Sequence, residues 1–116
     1  MATNTEEILS GSTNGRAILV SQTATPGNLI HTAIAGTASE DNLWLYAASK
    51  HTAAVEITVE YGGVTTADQI IVSIPPKEGL ILVIPGLPLN GGVVVRVFAA
   101  IANVISVVGM VHRRLD

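Results

Sequence analysis

The stretch Leu80–Ala100, LILVIPGLPLNGGVVVRVFAA, contains two dense apolar runs joined by a connection of Pro, Gly and Asn residues. The runs, Leu80–Ile84 and Val93–Ala100, are short, rich in β-branched residues and bounded by turn residues, which is typical of strands. Both runs are apolar at consecutive positions, so neither predicted strand has a polar side. We therefore expect both faces to be covered, either by a second layer of the domain or by another copy of the chain.

On either side of this stretch, six further segments have strand character. Their spacing is typical of an all-β sandwich or barrel of about eight antiparallel strands. The six segments are Arg16–Gln22, Leu29–Ala35, Leu43–Ser49, Ala54–Tyr61, Gln69–Ile74 and Asn103–Arg113. The prolines at 85 and 88 are expected to break the strand path, and Gly109 is expected to mark a bulge or tight bend.

The segment Ala54–Tyr61, AVEITVEY, alternates most regularly between apolar and polar residues. This period of two predicts that Val55 and its odd-numbered neighbours point into the core. The same pattern predicts that Glu56, Thr58 and Glu60 point to solvent.

The length of 116 residues fits one domain, preceded by a polar segment. Residues 1–15 are polar except for Ile8 and Leu9, and they predict an extended N-terminal arm. In this interpretation the arm reaches a neighbouring subunit through the two apolar residues, and residues 16–116 form the β-sandwich. A disordered terminus is the alternative.

The composition combines 48% hydrophobic residues with only 13% charged residues. The charged share is about half of the ~25% that is usual in globular proteins. Such a surface favours cover by a partner, although an outside rich in Thr, Ser and Asn would also explain it. The net charge of −3 argues against nucleic-acid binding, which needs a cationic face.

Several further classes of protein lack support in the sequence. The start MATNTEE has neither a basic nor an apolar signal-peptide region, and no apolar run is long enough for a membrane helix. The chain has no cysteine, so it has no disulfide framework and no thiolate metal site. We therefore expect no membrane partner.

Candidate catalytic and metal-binding residues are scattered. None of the three histidines, His31, His51 and His112, stands in HxH or HExxH spacing, so a zinc site would have to be assembled by folding. Glu56 and Glu60 lie on one strand with Cα atoms about 13 Å apart, which is too far for a glycosidase pair.

Carboxylates in loops are a second possible metal site. Glu40 and Asp41 could bind calcium with Asp68 only if their loops converge. No phosphate-binding loop or nucleophile elbow occurs. The sequence thus predicts no catalytic residue, no bound metal and no cofactor, and an enzyme with a metal site assembled by folding is kept as an alternative.

Three stretches together span about residues 14–114: GLILVIPGLPLNGGVVVRVFAAIANVISVVGMVHRR, DNLWLYAASKHTAAVEITVEYGG and GRAILVSQTATPGNLIHTA. In their pattern they resemble small structural proteins of tailed-bacteriophage virions. It is a likeness of pattern and contains no active-site motif. It implies a jelly-roll β-sandwich that assembles as a homo-oligomer, often a trimer.

The resemblance also implies a location and a partner. Proteins of this kind are made in the host cytoplasm and bind the major capsid protein on the outer capsid surface, as decoration or cement. Others belong to tails or head fibres, so a glycan-binding adhesin is the alternative. An adhesin would need an exposed aromatic among Trp44, Tyr46 and Tyr61 for stacking on sugars.

A set of residues is predicted to lie at a subunit or capsid interface, because each is apolar on a two-sided strand, belongs to the arm or forms a basic pair. The set is Ile8, Leu9, Trp44, Tyr46, Val94, Arg96, Phe98, Arg113 and Arg114. Within it, Arg96→Glu is expected to disturb assembly more than folding, whereas Val93, Val95 and Val97 are expected to fill the core. Arg113 and Arg114 could pair with acidic groups of a partner or remain solvated.

Overall fold

The computed structural model describes residues 3–116, which form two antiparallel sheets packed face to face. The predicted all-β sandwich is confirmed. The described part of the chain has nine strands and one short 3-10 helix, Thr66–Asp68. The strands are β1 Thr3–Ile8, β2 Ile18–Leu19, β3 Asn28–Thr32, β4 Glu40–Ser49, β5 Val55–Tyr61, β6 Gln69–Ile74, β7 Ile81–Leu89, β8 Val94–Ala99 and β9 Ile105–Leu115.

The strand pairing is nested, as in one long hairpin that has been rolled up. Strand β5 pairs with β6, β4 with β7, β3 with β8, and both β1 and β2 with β9. Rolling places β1, β2, β9, β4 and β7 in sheet A and β3, β8, β5 and β6 in sheet B. This is the strand order of a jelly roll, in which consecutive strands from β2 onward alternate between the sheets except at the β5–β6 hairpin.

The core lies between the two sheets and is almost entirely aliphatic. Strand β4 alternates strictly, with Leu43, Leu45 and Ala47 fully buried on its inner side. The inner sides of β5 and β8 complete the core with Ile57, Val59, Val95 and Val97, so the predicted role of Val95 and Val97 is confirmed. Val93 lies outside β8 and is half-buried.

The predicted arm is part of the sheet in its described portion. Residues 3–8 form β1, an edge strand that pairs with residues 110–115 of β9. Leu9 follows directly and is only 1% exposed within the core of its own chain. Residues 1 and 2 lie outside the described part. The arm is thus extended as predicted, but Leu9 anchors it to its own domain.

Two local predictions on strand ends and faces are wrong. Strand β7 continues through Pro85 and Pro88, because it is an edge strand that pairs only with β4 and so tolerates residues without an amide hydrogen. On β5 only Glu56 is exposed, whereas Thr58 and Glu60 are buried. They do lie on the outer side of sheet B, but other parts of the chain cover that side.

Gly109 allows close backbone contact rather than a bulge. The β4–β9 ladder runs without a register shift from Glu40↔Arg114 to Ser49↔Ile105. A Cβ atom at position 109 would overlap the carbonyl oxygen of Trp44 and would lie 3.2 Å from the Cα of Leu45. The glycine therefore permits the two central strands of sheet A to approach each other.

We expect Gly109→Ala to lower the free energy of unfolding by about 2–3 kcal/mol, because backbone must move to admit the methyl group. Gly92→Ala is the control, since Gly92 has a φ of 71° and open space around its Cβ position. That substitution should cost about 1 kcal/mol through its left-handed backbone alone. Urea unfolding measures both values, and equal losses would contradict the close-contact role of Gly109.

Candidate interaction surfaces

The outer side of sheet A carries a continuous set of apolar side chains, which we name the apolar face. Directly opposed residues of neighbouring strands share one side of a sheet. One row across the sheet is therefore Ile8, Met110, Trp44 and Pro85, and the next is Val108, Tyr46 and Leu82. Leu19 of β2 lies beside Ser106 in the following row. The apolar face comprises Ile8, Leu19, Trp44, Tyr46, Leu82, Pro85, Val108 and Met110.

The apolar face is open to solvent in the single chain. Ile8 is 55% exposed, Leu82 47% and Leu19 44%. Trp44 is half-buried because its indole packs on Gly86, where an added Cβ would lie 2.7 Å from two ring atoms. Because Gly86 has no side chain, the indole of Trp44 can pack directly against the sheet.

Charged and polar side chains border the apolar face at the end next to Trp44. The row next to Trp44 contains Glu6, His112 and Asn42, and the one beyond contains Asn4, Arg114 and Glu40. No charged residue lies within the rows that define the face. Contiguous apolar patches with a polar border are typical of contact sites with other proteins.

The outer side of sheet B is different, because a segment of the same chain covers part of it. Residues 22–27 cross over β8, where the amide of Ala99 donates to the carbonyl of Gln22. Gly27 is buried at the Val97 backbone, and an added Cβ there would overlap the Val97 carbonyl. Because β8 is apolar on both sides, its outer side was expected to be covered. This segment provides that cover over part of the strand.

Glu60 holds this covering segment in place. Its carboxylate is fully buried and accepts hydrogen bonds from the Gly27 amide, at 2.7 Å, and from the Thr25 hydroxyl. Arg96 is directly opposite Glu60 in the β5–β8 ladder, and its Nη1 donates to the Gly27 carbonyl at 3.3 Å. Arg96 is thus engaged within its own chain. The expectation that Arg96→Glu disturbs assembly more than folding stays a prediction, although the new carboxylate would face Glu60 within the same chain.

A second buried polar cluster joins three strands at one end of the molecule. Asp41 of β4 accepts hydrogen bonds from Arg113 Nε at 2.7 Å, from His31 Nε2 at 2.8 Å and from the Ile34 amide at 3.1 Å. His31 Nδ1 accepts the amide hydrogen of Ser10 at 3.1 Å, so the ring carries its hydrogen on Nε2. The cluster ties β3 of one sheet to β4 and β9 of the other.

This cluster contains a histidine and a carboxylate but no nucleophile in position. The Ser10 hydroxyl accepts from the Thr32 amide at 2.7 Å, and His31 Nδ1 is occupied by the Ser10 amide. His31 is 1% exposed and Asp41 is fully buried, so neither can reach a substrate. The arrangement stabilises the fold.

The pKa of Asp41 lies below its ordinary value of 3.8. Burial alone would raise it, but hydrogen bonds from Arg113 and His31 and the charge of Arg113 outweigh that effect. The same contact with Asp41 raises the pKa of Arg113. Arg114 forms a separate, more exposed pair, with its Nη2 2.6 Å from Glu40 Oε1. Both arginines thus pair with acids of their own chain.

The predicted interface residues fall into three groups. Ile8, Trp44 and Tyr46 lie on the apolar face, whereas Val94 and Phe98 are half-buried on the outer side of the opposite sheet. Leu9 is buried in the core, and Arg96, Arg113 and Arg114 contact groups of their own chain. The assignment of the predicted residues to an interface stays a prediction.

The apolar face has members that the sequence analysis missed, namely Leu19, Leu82, Pro85, Val108 and Met110. Burial alternates with a period of two around Val108, but the residues on both sides of this strand are apolar. The sequence therefore does not distinguish the inner side from the outer side. Leu82 was hidden in the same way, within the run Leu80–Ile84.

The candidate metal ligands are not brought together. Asp41 is used by Arg113 and His31, and Asp68 accepts from the Thr65 hydroxyl at 2.7 Å next to the 3-10 helix. Among residues 3–116 there is no group of three His, Asp or Glu side chains that could hold a metal ion. The described part also has no helix long and apolar enough to cross a membrane.

Comparisons with known proteins found no matching family model, no similar curated protein and no similar solved structure.

We expect Asp41→Asn to lower the free energy of unfolding at pH 7 by about 3 kcal/mol, because Arg113 would lose its buried counter-charge. A depressed carboxyl pKa stabilises the fold above its ordinary value of 3.8 and stops doing so as the pH falls through the lower folded value. The difference between variant and wild type should therefore shrink below pH 3.8, as urea unfolding at several pH values would measure.

Glu40→Gln is the matched control, since it removes the more exposed partner of the neighbouring arginine on the same strand. Exposed ion pairs add little stability, so its loss should be much smaller. Equal effects of the two substitutions would contradict the role of the Asp41 cluster.

Proposed function

We propose that this chain is a structural component of a tailed-bacteriophage virion, a decoration or cement protein that assembles as a homo-oligomer and binds the outer capsid surface. The observation that carries the proposal is the apolar face, which is uncharged, lies on a regular sheet and has exposed Ile8 and Leu82. The resemblance to virion structural proteins supports the same function.

Cover of the apolar face is the physical basis of the proposed assembly. Burial of apolar surface contributes about 25 cal/mol per Å², and ordering at the interface offsets part of this gain. Sheet A presents these side chains from five paired strands, so little ordering is required on binding. An apolar surface held on a paired sheet fits a contact with another folded protein surface.

The low charge of the chain is consistent with this proposal. Three of the six basic residues, Arg96, Arg113 and Arg114, make hydrogen bonds within the chain. Cement on a capsid lattice acts through many copies, so modest contacts of single subunits add up to strong resistance against opening of the shell. The trimer implied by the resemblance is the expected oligomer.

Leu82→Glu tests the apolar face in solution. The wild-type chain is expected to give the mass of an oligomer by light scattering, and Leu82→Glu that of a monomer, because a carboxylate would be buried without a partner. Val64→Glu is the control, since Val64 is 51% exposed but lies outside the apolar face. A monomeric wild type, or equal behaviour of the two variants, would count against the proposal.

Electron microscopy of virions labelled with an antibody against this chain tests the location. Label distributed over the capsid supports the decoration protein. Label confined to the tail or to head fibres contradicts it and supports the alternative.

The alternative, a glycan-binding adhesin of the tail or head fibre, is favoured by one observation. The half-exposed rings of Trp44 and Tyr46 lie in adjacent rows of the apolar face, with Gly86 beneath the indole. Aromatic rings at an open surface can stack on the apolar side of a sugar. The adhesin requires binding on a glycan array that Trp44→Ala abolishes and Phe98→Leu, on the opposite sheet, retains. An array without any bound glycan would remove the alternative.

A further inference from the structure

The four edges of the two sheets differ in how they are protected. The outer edge of β3 is covered, because the Gly11 amide donates to the Ile30 carbonyl at 2.9 Å and the Thr32 amide donates to Ser10 Oγ. Edge strands expose unpaired amide and carbonyl groups, and covering them prevents pairing with other chains. The β3 edge is thus closed by the preceding segment of the chain.

Two other edges carry residues that discourage pairing. Strand β7 contains Pro85 and Pro88 and has two register shifts against β4. The opposite edge of sheet A is divided between β1 and β2, and β1 carries Glu6 and Glu7. Prolines, bulges and charges are the usual means by which proteins protect a sheet edge.

Strand β6, QIIVSI, lacks all of these protections. It contains no proline, no glycine and no charged residue. It pairs with β5 on one side, and apart from the Gln69 amide, which donates to the Thr66 carbonyl, no described residue outside β5 makes a hydrogen bond to its backbone. Ile71 is 58% exposed on the outer side of the strand. The strand therefore presents an uninterrupted backbone of high β-propensity to an incoming strand.

We propose that β6 pairs antiparallel with β6 of a second copy of this chain, about a two-fold axis through Ile71. A two-fold axis perpendicular to the sheet places the hydrophobic cores of both copies on the same side of the joined sheet. Residues that pair across the axis must then lie on the same side of that sheet. Centring on Ile71 satisfies this condition, because it pairs Ile70 with Val72 on the inner side and Gln69 with Ser73 on the outer side. Sheet B would then continue as eight strands across the two copies.

The outer row at the axis shows why a second copy fits this edge. Phe98, Thr58 and Ile71 are neighbours across β8, β5 and β6. Two-fold pairing sets the exposed Ile71 side chains against each other at the centre of the joined row. The polar Gln69 meets the polar Ser73, and the nearest charge, Asp68, lies beyond the end of the strand.

This contact is separate from the apolar face, because β6 belongs to sheet B and the apolar face to sheet A. It therefore goes beyond the proposed function and adds a second way for copies to join. A six-residue edge is a small contact. Trapping by a disulfide is suited to detect it, and the absence of cysteine from the chain makes any introduced thiol unique.

The test uses the full chain with single cysteines under mild oxidation. Ile71→Cys should form covalent dimers at least tenfold faster than Val64→Cys, a control of similar exposure, because opposed Cβ atoms lie close to disulfide distance. Circular dichroism would verify that each variant keeps the wild-type fold. Equal rates for Ile71→Cys and Val64→Cys would overturn the proposal.

The register is tested by mixing chains of different size. Gln69→Cys on a tagged chain should cross-link with Ser73→Cys on an untagged chain, and each variant alone should remain uncross-linked. Preferential pairing of Ile71→Cys with Ser73→Cys would contradict the axis at Ile71.

Independence from the proposed function is tested in the double variant I71C/L82E. Its cross-link should persist even though Leu82→Glu disrupts the apolar face. Loss of the cross-link in the double variant would mean that the contact forms only within the oligomer joined through the apolar face. The proposal of a separate edge contact would then be wrong.

Discussion

The antiparallel ladder between β4 and β9 is the constraint on which the rest of the structure depends. It runs over ten residue pairs without a shift, and Gly109 permits the close approach of its backbones. Its inner side supplies Leu43, Leu45 and Val107 to the core. Its outer side places Trp44 beside Met110 on the apolar face. The same ladder therefore folds the domain and presents the surface proposed for assembly.

Buried polar groups fix the geometry around this ladder. Asp41 connects His31 and Arg113 at one end and so links the two sheets, while Glu60 fastens the covering segment 22–27 over sheet B. Both carboxylates accept several hydrogen bonds, which offsets the loss of hydration on burial. The outer side of sheet B is thereby covered in part by the chain itself, and the apolar face of sheet A is left open.

The strands could be predicted because short apolar runs between turn residues have few alternatives, and all eight predicted segments contain a strand of the structure. Strand β1 was missed as a strand because its residues are polar and its pairing with β9 is remote in sequence. The site was harder to predict. When both sides of a strand are apolar, periodicity cannot tell the core from a contact surface. The burial of Glu60 and the partial burial of Arg96 depend on contacts with Gly27, which lies 33 and 69 residues away in the chain.

Fluorescence of Trp44, the only tryptophan of the chain, tests most directly whether the apolar face is the assembly surface. The measurement follows its emission maximum and its quenching by acrylamide in the unmodified protein, together with the mass from light scattering, over a range of concentrations. As the mass rises from monomer to oligomer, the emission should shift to shorter wavelength and quenching should fall, because the indole becomes covered. A rise in mass with unchanged emission and quenching, or a mass that stays monomeric throughout, would contradict the account.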